Sequence, residues 1–270
     1  MAFPDKNYTL GSGELYFRPY AEGTNAPAPG SVQEYFGNTP TLSTTAERET
    51  LDHFDADHGV RTKDDAVTLQ LNRTGSFTTD HISPQNLAKW FLGRASIVTQ
   101  VAATAQIETF PGVLRRAGRL QLGLTPSNPS GVRGVTNVTV AVAGAGGATL
   151  VANVDYTVDG ATGAISILPG GTVLDPVDAE DITVTYDVQA ASYNRVVSGS
   201  TEVTGELFFK AINGKGLNQD YFWPKVTLSA DGDFELKGED WQAIPFAFEA
   251  LKRDDNTEVV YINGRPGQGI

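Results

Sequence analysis

The chain reads as a mainly β protein, a β-sandwich or half-barrel with one short α-helix packed on the sheet. Three observations predict this. Val, Thr, Tyr and Phe recur in short alternating runs, as strands prefer. Glycine and proline, 29 and 14 of 270 residues, punctuate those runs as turns do. One stretch, "TTDHISPQNLAKWFLG" (78–93), breaks the alternation with the period and end signals of a helix.

Taken in order, "GELYFRPYAEG" predicts a strand with Leu15 and Phe17 on one face, and "NAPAPGS" (25–31) a loop. A turn at Gly37-Asn38-Thr39-Pro40 leads into a Thr-rich strand. Residues 47–66, "ERETLDHFDADHGVRTKDDA", are charged and lack a sustained period, which predicts a long exposed loop. "AVTLQLNRTGSF" alternates, so Val67, Leu69 and Leu71 are expected on the covered face of a half-buried strand.

The helix is expected at about 83–92. Ser83 suits the N-cap, and Pro84 the first helical position, where its missing N–H costs nothing. Leu87, Trp90 and Phe91 fall at i, i+3 and i+4 and are the expected anchors on the sheet. Gly93 is placed to stop the helix in a left-handed conformation. So short a helix is unstable alone and needs a sheet to lie on.

"RASIVTQVAATAQIETF" (94–110) returns to strand character. Arg115, Arg116 and Arg119 follow, read as a solvated turn paired with nearby acids, with a subunit contact as the alternative. Residues 131–190 change texture, rich in Val, Thr, Ala and Gly with almost no Lys or Arg. Within them Val138, Val140 and Val142 alternate, as do Ile182, Val184, Tyr186 and Val188. Tyr156 and Val158, a turn at Asp159-Gly160, then Ile165 and Ile167 signal a hairpin. The organisation expected is a single domain over 1–270, with an exposed loop at 47–66 and a β-rich insertion at about 125–192.

The formal net charge is −12. Phosphate-gripping proteins need clustered Lys and Arg, so this balance argues against a nucleic-acid-binding role. Cysteine is absent, which removes disulfide and thiolate chemistry and fits assembly in a reducing compartment. The start has neither a basic segment nor a long apolar run, so no signal peptide is expected, and no run is long enough for a membrane helix.

Motifs for chemistry are wanting. His53 and His58 lie among Asp52, Asp55 and Asp57, without the spacing of common zinc sites. Read as a calcium loop from Asp55, the stretch places Ala66 where a bidentate Glu is needed. "AVAGAGGATL" has Gly144 and Gly146 but Thr149 in place of the third glycine, and "NGKG" (213–216) lacks the rest of a phosphate loop. No nucleophile elbow occurs. The expectation is no enzyme, no metal and no cofactor.

The order of motifs carries more than any one of them. "GELYFRPY", "YFGNTPTLSTT", an acidic variable stretch, "DDAVTLQLNRTGSFTTDHISPQNLAKWFLG" and later "DYTVDGATGAISIL" together resemble the major tail tube protein of long, non-contractile-tailed bacteriophages. The resemblance is strongest over 13–93. It implies a virion protein assembled in the bacterial cytoplasm, in which six copies form a ring and rings stack into a tube. The helix would cover the outer face of the sheet and leave the inner face to a channel for DNA. The partners implied are further copies of the chain, the tape measure protein, and tail terminator or tip proteins. DNA would pass without specific binding, and an acidic wall would keep it from sticking. By the same analogy 47–66 reaches the next ring, with Phe54 as apolar anchor and Asp52, Asp55, Asp57 and Arg61 as polar partners.

Three other readings compete. A related tail component, such as a terminator or baseplate ring, or the tube of a phage-derived particle, would share fold and ring without long polymerisation. A carbohydrate-binding β-sandwich would need an exposed aromatic platform, for which Trp223 and Trp241 are candidates. Their setting among alternating apolar residues favours core or interface burial instead. A β-rich hydrolase is the third, and no constellation supports it.

Overall fold

Leu15 and Phe17 point to one side of their strand and are fully buried, so the first alternation in the chain already marks a core face. The computed structural model describes residues 8–55, 57, 59–112, 118–143, 147–169 and 181–266. It is mainly β, with one α-helix and several antiparallel sheets. Where the sequence suggests one domain with an insertion at about 125–192, the chain divides into two compact units. One comprises Met1–Ser96 with Arg195–Ile270, the other Ile97–Asn194.

The first unit is built on strands β1 (Gly13–Pro19), β2 (Glu34–Tyr35), β3 (Thr41–Asp55) and β4 (Thr62–Thr79). The helix α1 (Pro84–Trp90) follows, and the unit resumes with β13 (Val203–Ala211), β14 (Gln219–Ala230), β15 (Ile244–Ala250) and β16 (Tyr261–Gly264). Their order across the sheet is β2-β1-β13-β14-β15-β4-β3. The long β14 pairs with β16 through its first half and with β15 through its second, both along the same edge. The core face carries Phe17, Phe36, Phe77, Leu207, Phe246 and Phe248. Phe36 meets Phe77 edge-on at 4.8 Å, and Phe77 stacks on Phe246 at 5.0 Å, geometries that aromatic quadrupoles favour.

α1 lies on this core face. Ser83 accepts from Asn86 N at 3.1 Å, the N-cap bond its position predicts. Leu87 and Trp90 pack on the core, and Trp90 Nε1 donates to Pro245 O at 2.9 Å. Phe91 departs from the expected anchoring. It is 41% exposed and meets Trp90 edge-on at 4.8 Å rather than pressing on the sheet. It is the C-cap residue, its N–H still donating to Leu87 O at 2.9 Å, and at the helix end its ring lies against Trp90, which takes the contact with the core. In its place the buried helix residues are Asn86 and Ala88.

The helix stop also differs from expectation. Leu92, with φ 51°, takes the left-handed position, and Gly93 N donates to Ala88 O at 2.8 Å as Leu92 N donates to Lys89 O at 3.3 Å. Glycine is required at 93 for closeness: a Cβ there would lie 1.8 Å from Val197 O. Gly37 combines both demands, with φ +88° and a notional Cβ 2.2 Å from His81 Cβ.

Two strands, β5 (Arg94–Gln100) and β12 (Ala191–Val197), pair as a ribbon where the chain leaves the first unit and returns to it. The second unit holds two three-stranded sheets. β6 (Ala103–Phe110) and β8 (Val135–Val142) flank β11 (Ile182–Val188). β7 (Gly118–Gln121) and β9 (Tyr156–Asp159) flank β10 (Ala164–Ile167). Both sheets feed one core, with Leu122, Val140, Ile165, Ile182 and Val184 fully buried. The alternation of Ile182, Val184, Tyr186 and Val188 is reproduced as four buried side chains, and Tyr156 faces Ile167 in the hairpin. Tyr186 donates its hydroxyl to Glu108 Oε1, which also accepts from Gly123 N at 2.6 Å. Among the described residues no helix is long and apolar enough to cross a membrane.

Candidate functional site: a two-stranded arm and the polar sheet face

The stretch 47–66, expected as a loop, is a β-ribbon. β3 and β4 pair continuously from Thr41↔Thr78 out to Asp55↔Thr62. β15 covers β4 only over Arg73–Thr79. Beyond that point the two strands run on alone for roughly 35 Å, at ~3.3 Å per residue. The charged composition hid the strand because a ribbon wetted on both faces needs no apolar alternation.

The arm contradicts a second expectation. Val67, Leu69 and Leu71 do lie in a strand, yet none is covered: Val67 is 57% exposed, and Leu51 across the ladder is 62% exposed. The register gives a reason. Glu49 pairs Gln70 while Thr50 pairs Thr68, so Leu69 is the extra residue of a bulge. The bulge turns Val67 and Leu71 to opposite faces, so the period of two in the sequence does not build one apolar stripe. A second bulge, between His53↔Asp65 and Phe54↔Lys63, makes Asp64 the extra residue.

Around this second bulge sit the residues expected at the contact. Asp52 pairs with Lys63 Nζ at 2.6 Å, and the register places Phe54 on the same face, 47% exposed. Asp55 Oδ1 accepts from Asp57 N at 2.9 Å and shapes the turn at the tip. Arg61 is exposed just before β4. The fold therefore gathers Asp52, Phe54, Asp55, Asp57 and Arg61 at the end of one arm. His53 Nδ1 lies 2.6 Å from Asp64 Oδ1, a pair on the same ribbon. His58 lies outside the described residues, as do Arg115, Arg116, Gly144 and Gly146. Arg119 Nη2 donates to Thr162 Oγ1 at 3.0 Å within the second unit.

The sheet face opposite the aromatic core is polar in a particular way. Thr41 and Thr78 hydroxyls are 2.7 Å apart, and Ser43 and Ser76 are 3.2 Å apart, a ladder of hydroxyl pairs across β3 and β4. On β1 and β13, Glu14 and Lys210 stand opposite one another at 2.8 Å. On β14, Asp220 pairs with Arg265 at 2.7 Å. The Lys210 ammonium, with the Tyr16 hydroxyl, holds the Glu14 carboxyl below its ordinary range. The Arg265 guanidinium does the same for Asp220. These two carboxylates are charge-matched on the face itself, and Glu249, exposed between Thr74 and Thr227, adds one with no ion pair among the described residues.

The two candidate platform tryptophans part company. Trp223 is 3% exposed and belongs to the core, stacked 5.8 Å from Tyr221. Trp241, expected to be covered, is 97% exposed. It follows an acidic run, and nothing in its local pattern distinguishes a covered from an uncovered ring.

Residues 8–261 match the family described as "Protein of unknown function UCP028589", and the chain belongs to that family. No curated protein matches the chain.

Proposed function

We propose that the chain is the repeating structural subunit of a phage-type tail tube, in which hexameric rings stack around a channel for DNA. The observation that carries the reading is the arm. A ribbon some 35 Å long, at ~3.3 Å per residue, with Leu51, Phe54 and Val67 open to water is costly for a chain that stays alone. It is useful to one that contacts its own copies. Open borders at β3 and β2 support the same reading, since unpaired strand edges invite pairing and ring closure removes them.

In this assembly α1 shields the core face, and the hydroxyl and paired-charge face lines the channel. Such a wall passes a polyanion because it offers no clustered Lys or Arg from which counterion release would draw binding energy. The role is structural, without catalysis. Its partners are other copies of the chain, the tape measure protein and the terminator or tip proteins, and its place is the virion tail.

Electron microscopy of the purified chain at high concentration tests this. Tubes of stacked six-fold rings are the expected result. A protein that stays strictly monomeric in sedimentation and forms neither rings nor tubes overturns it.

A further inference from the structure

The first unit carries a knob and a hole at different ends of one strand. The knob is the loop 231–243 between β14 and β15. It is held at its base: Asp231 N donates to Pro245 O at 3.2 Å, Phe234 packs 6.0 Å from the Trp90 ring, and Gln242 Nε2 donates to Glu235 O at 3.0 Å. From this braced loop Trp241 stands 97% exposed and Leu236 78% exposed. Presenting a ring on a pinned loop reduces the ordering cost of binding through it.

The hole is a groove of about 680 Å³. Phe209, Tyr221 and Trp223 line its floor, and Leu42, Asn213 and Gln219 are among its walls. The floor rings form a row, Phe209 to Tyr221 at 6.2 Å and Tyr221 to Trp223 at 5.8 Å. Phe209 and Tyr221 are half-buried while Trp223 closes the row from the core, so a further aromatic ring would meet the first two. Tyr221 lies nine residues before Ala230, where the knob loop departs, so floor and knob are roughly 30 Å apart at ~3.3 Å per residue. A ring 97% exposed is not seated in its own groove.

Charge agrees with the shapes. Asp231, Asp233, Glu235, Glu239 and Asp240 share the knob loop with one base, Lys237. The groove lining contains no carboxylate. Lys215 stands exposed in the loop between Asn213 and the lining residue Leu217, with no ion pair among the described residues.

We infer that Trp241 of one copy seats in the Phe209–Tyr221–Trp223 groove of the next copy, joining copies head to tail. This is a heterologous contact, with different surfaces on the two sides, which propagates into a ring or a filament rather than ending at a dimer. The groove borders the hydroxyl face, sharing Thr41 and Ser43 with it at the start of β3, and lies away from the tip of the arm; the contact holds whether or not the assembly is a tail tube.

The absence of cysteine makes the test clean. Asp240→Cys, which keeps the Trp241 ring, and Gln219→Cys are prepared as separate proteins, mixed, and oxidised. A disulfide-linked dimer should form in the mixture and not in either protein alone. Trp241→Ala should leave thermal unfolding unchanged and weaken self-association by roughly 30-fold or more in sedimentation, as loss of an interface anchor does. No dimer above background, self-association unaffected by Trp241→Ala, or a wild-type chain monomeric at all concentrations each overturns the contact. Wild-type-like tubes from Trp241→Ala defeat this inference and spare the tube. Trp241-dependent oligomers that never form tubes do the reverse.

Discussion

Asn86, on the helix, donates its side-chain Nδ2–H to the backbone carbonyl of Phe36 at 2.9 Å, and the same oxygen accepts from Thr79 Oγ1 at 2.9 Å. Both donors are buried, and Asn86 also donates to His81 O at 3.0 Å. The helix is thus held to the sheet by a satisfied polar cluster as well as by apolar packing. Asn86→Ala removes one of two donors from each carbonyl, Phe36 O keeping Thr79 Oγ1 and His81 O keeping Ser83 N, and should cost the first unit about 0.5–1.5 kcal/mol in urea denaturation. Asn86→Asp should also destabilise, because a carboxylate cannot donate to those oxygens.

The arm should be dispensable for folding and essential for assembly. Deletion of residues 50–62 should leave the far-ultraviolet dichroism of a folded β protein while tubes vanish from negative-stain images. A milder variant, Leu51→Asp, should change stability by no more than ~0.5 kcal/mol, as exposed substitutions do, and still block assembly. Normal tubes from either variant would remove the arm from the contact.

The second unit has its own core and should fold by itself. A fragment of residues 97–194 is expected to show a cooperative thermal transition. Ile165→Ala, at a fully buried position of that core, should cost roughly 2–5 kcal/mol there and leave the first unit's transition in place. Loss of both transitions together would mean that the units are not energetically separate.

The paired carboxylates set the acid limit. Asp220 is depressed first by its bond to Arg265, so the folded state holds its proton less tightly than the unfolded chain, whose Asp titrates near ~3.9. Its contribution is therefore full above about pH 4 and lost as pH falls through the lower folded value. Urea midpoints measured from pH 6 to 2 should drop, and Asp220→Asn should flatten part of that drop.

At alkaline pH the sign reverses. Burial, then the hydrogen bond to Glu108, raises the Tyr186 phenol above its ordinary range. The folded state keeps this proton longer than the unfolded chain, whose Tyr titrates near ~10. The contribution is full below about pH 10 and lost as pH rises beyond it. In Tyr186→Phe the second unit should lose stability at neutral pH and show a shallower decline above pH 10.

Much of the fold was legible because its signals are local. Ser83 and Pro84 announce a helix start whatever surrounds them, and Ile182, Val184, Tyr186 and Val188 alternate because one face of β11 is buried. Gly93 was legible as a helix end for the wrong reason: the strained dihedral fell to Leu92, and the glycine answers to Val197, about a hundred residues away. Of the candidate contact, Phe54 and the neighbouring acids were expected from a resemblance, and the structure brings them to the end of one arm. The ribbon that carries them was not expected, since a charged strand with both faces wet has the composition of a loop.

The sequence by itself determined a β-rich chain, the place and capping of its one helix, and the strand alternation of the second unit, because each depends on dihedral preference and on the period of side chains along a strand. The tertiary structure alone decided which of those side chains are covered. Val67 and Leu71 on the arm and Trp241 on its loop look like core residues in one dimension, and they are exposed because no distant strand or helix arrives to cover them.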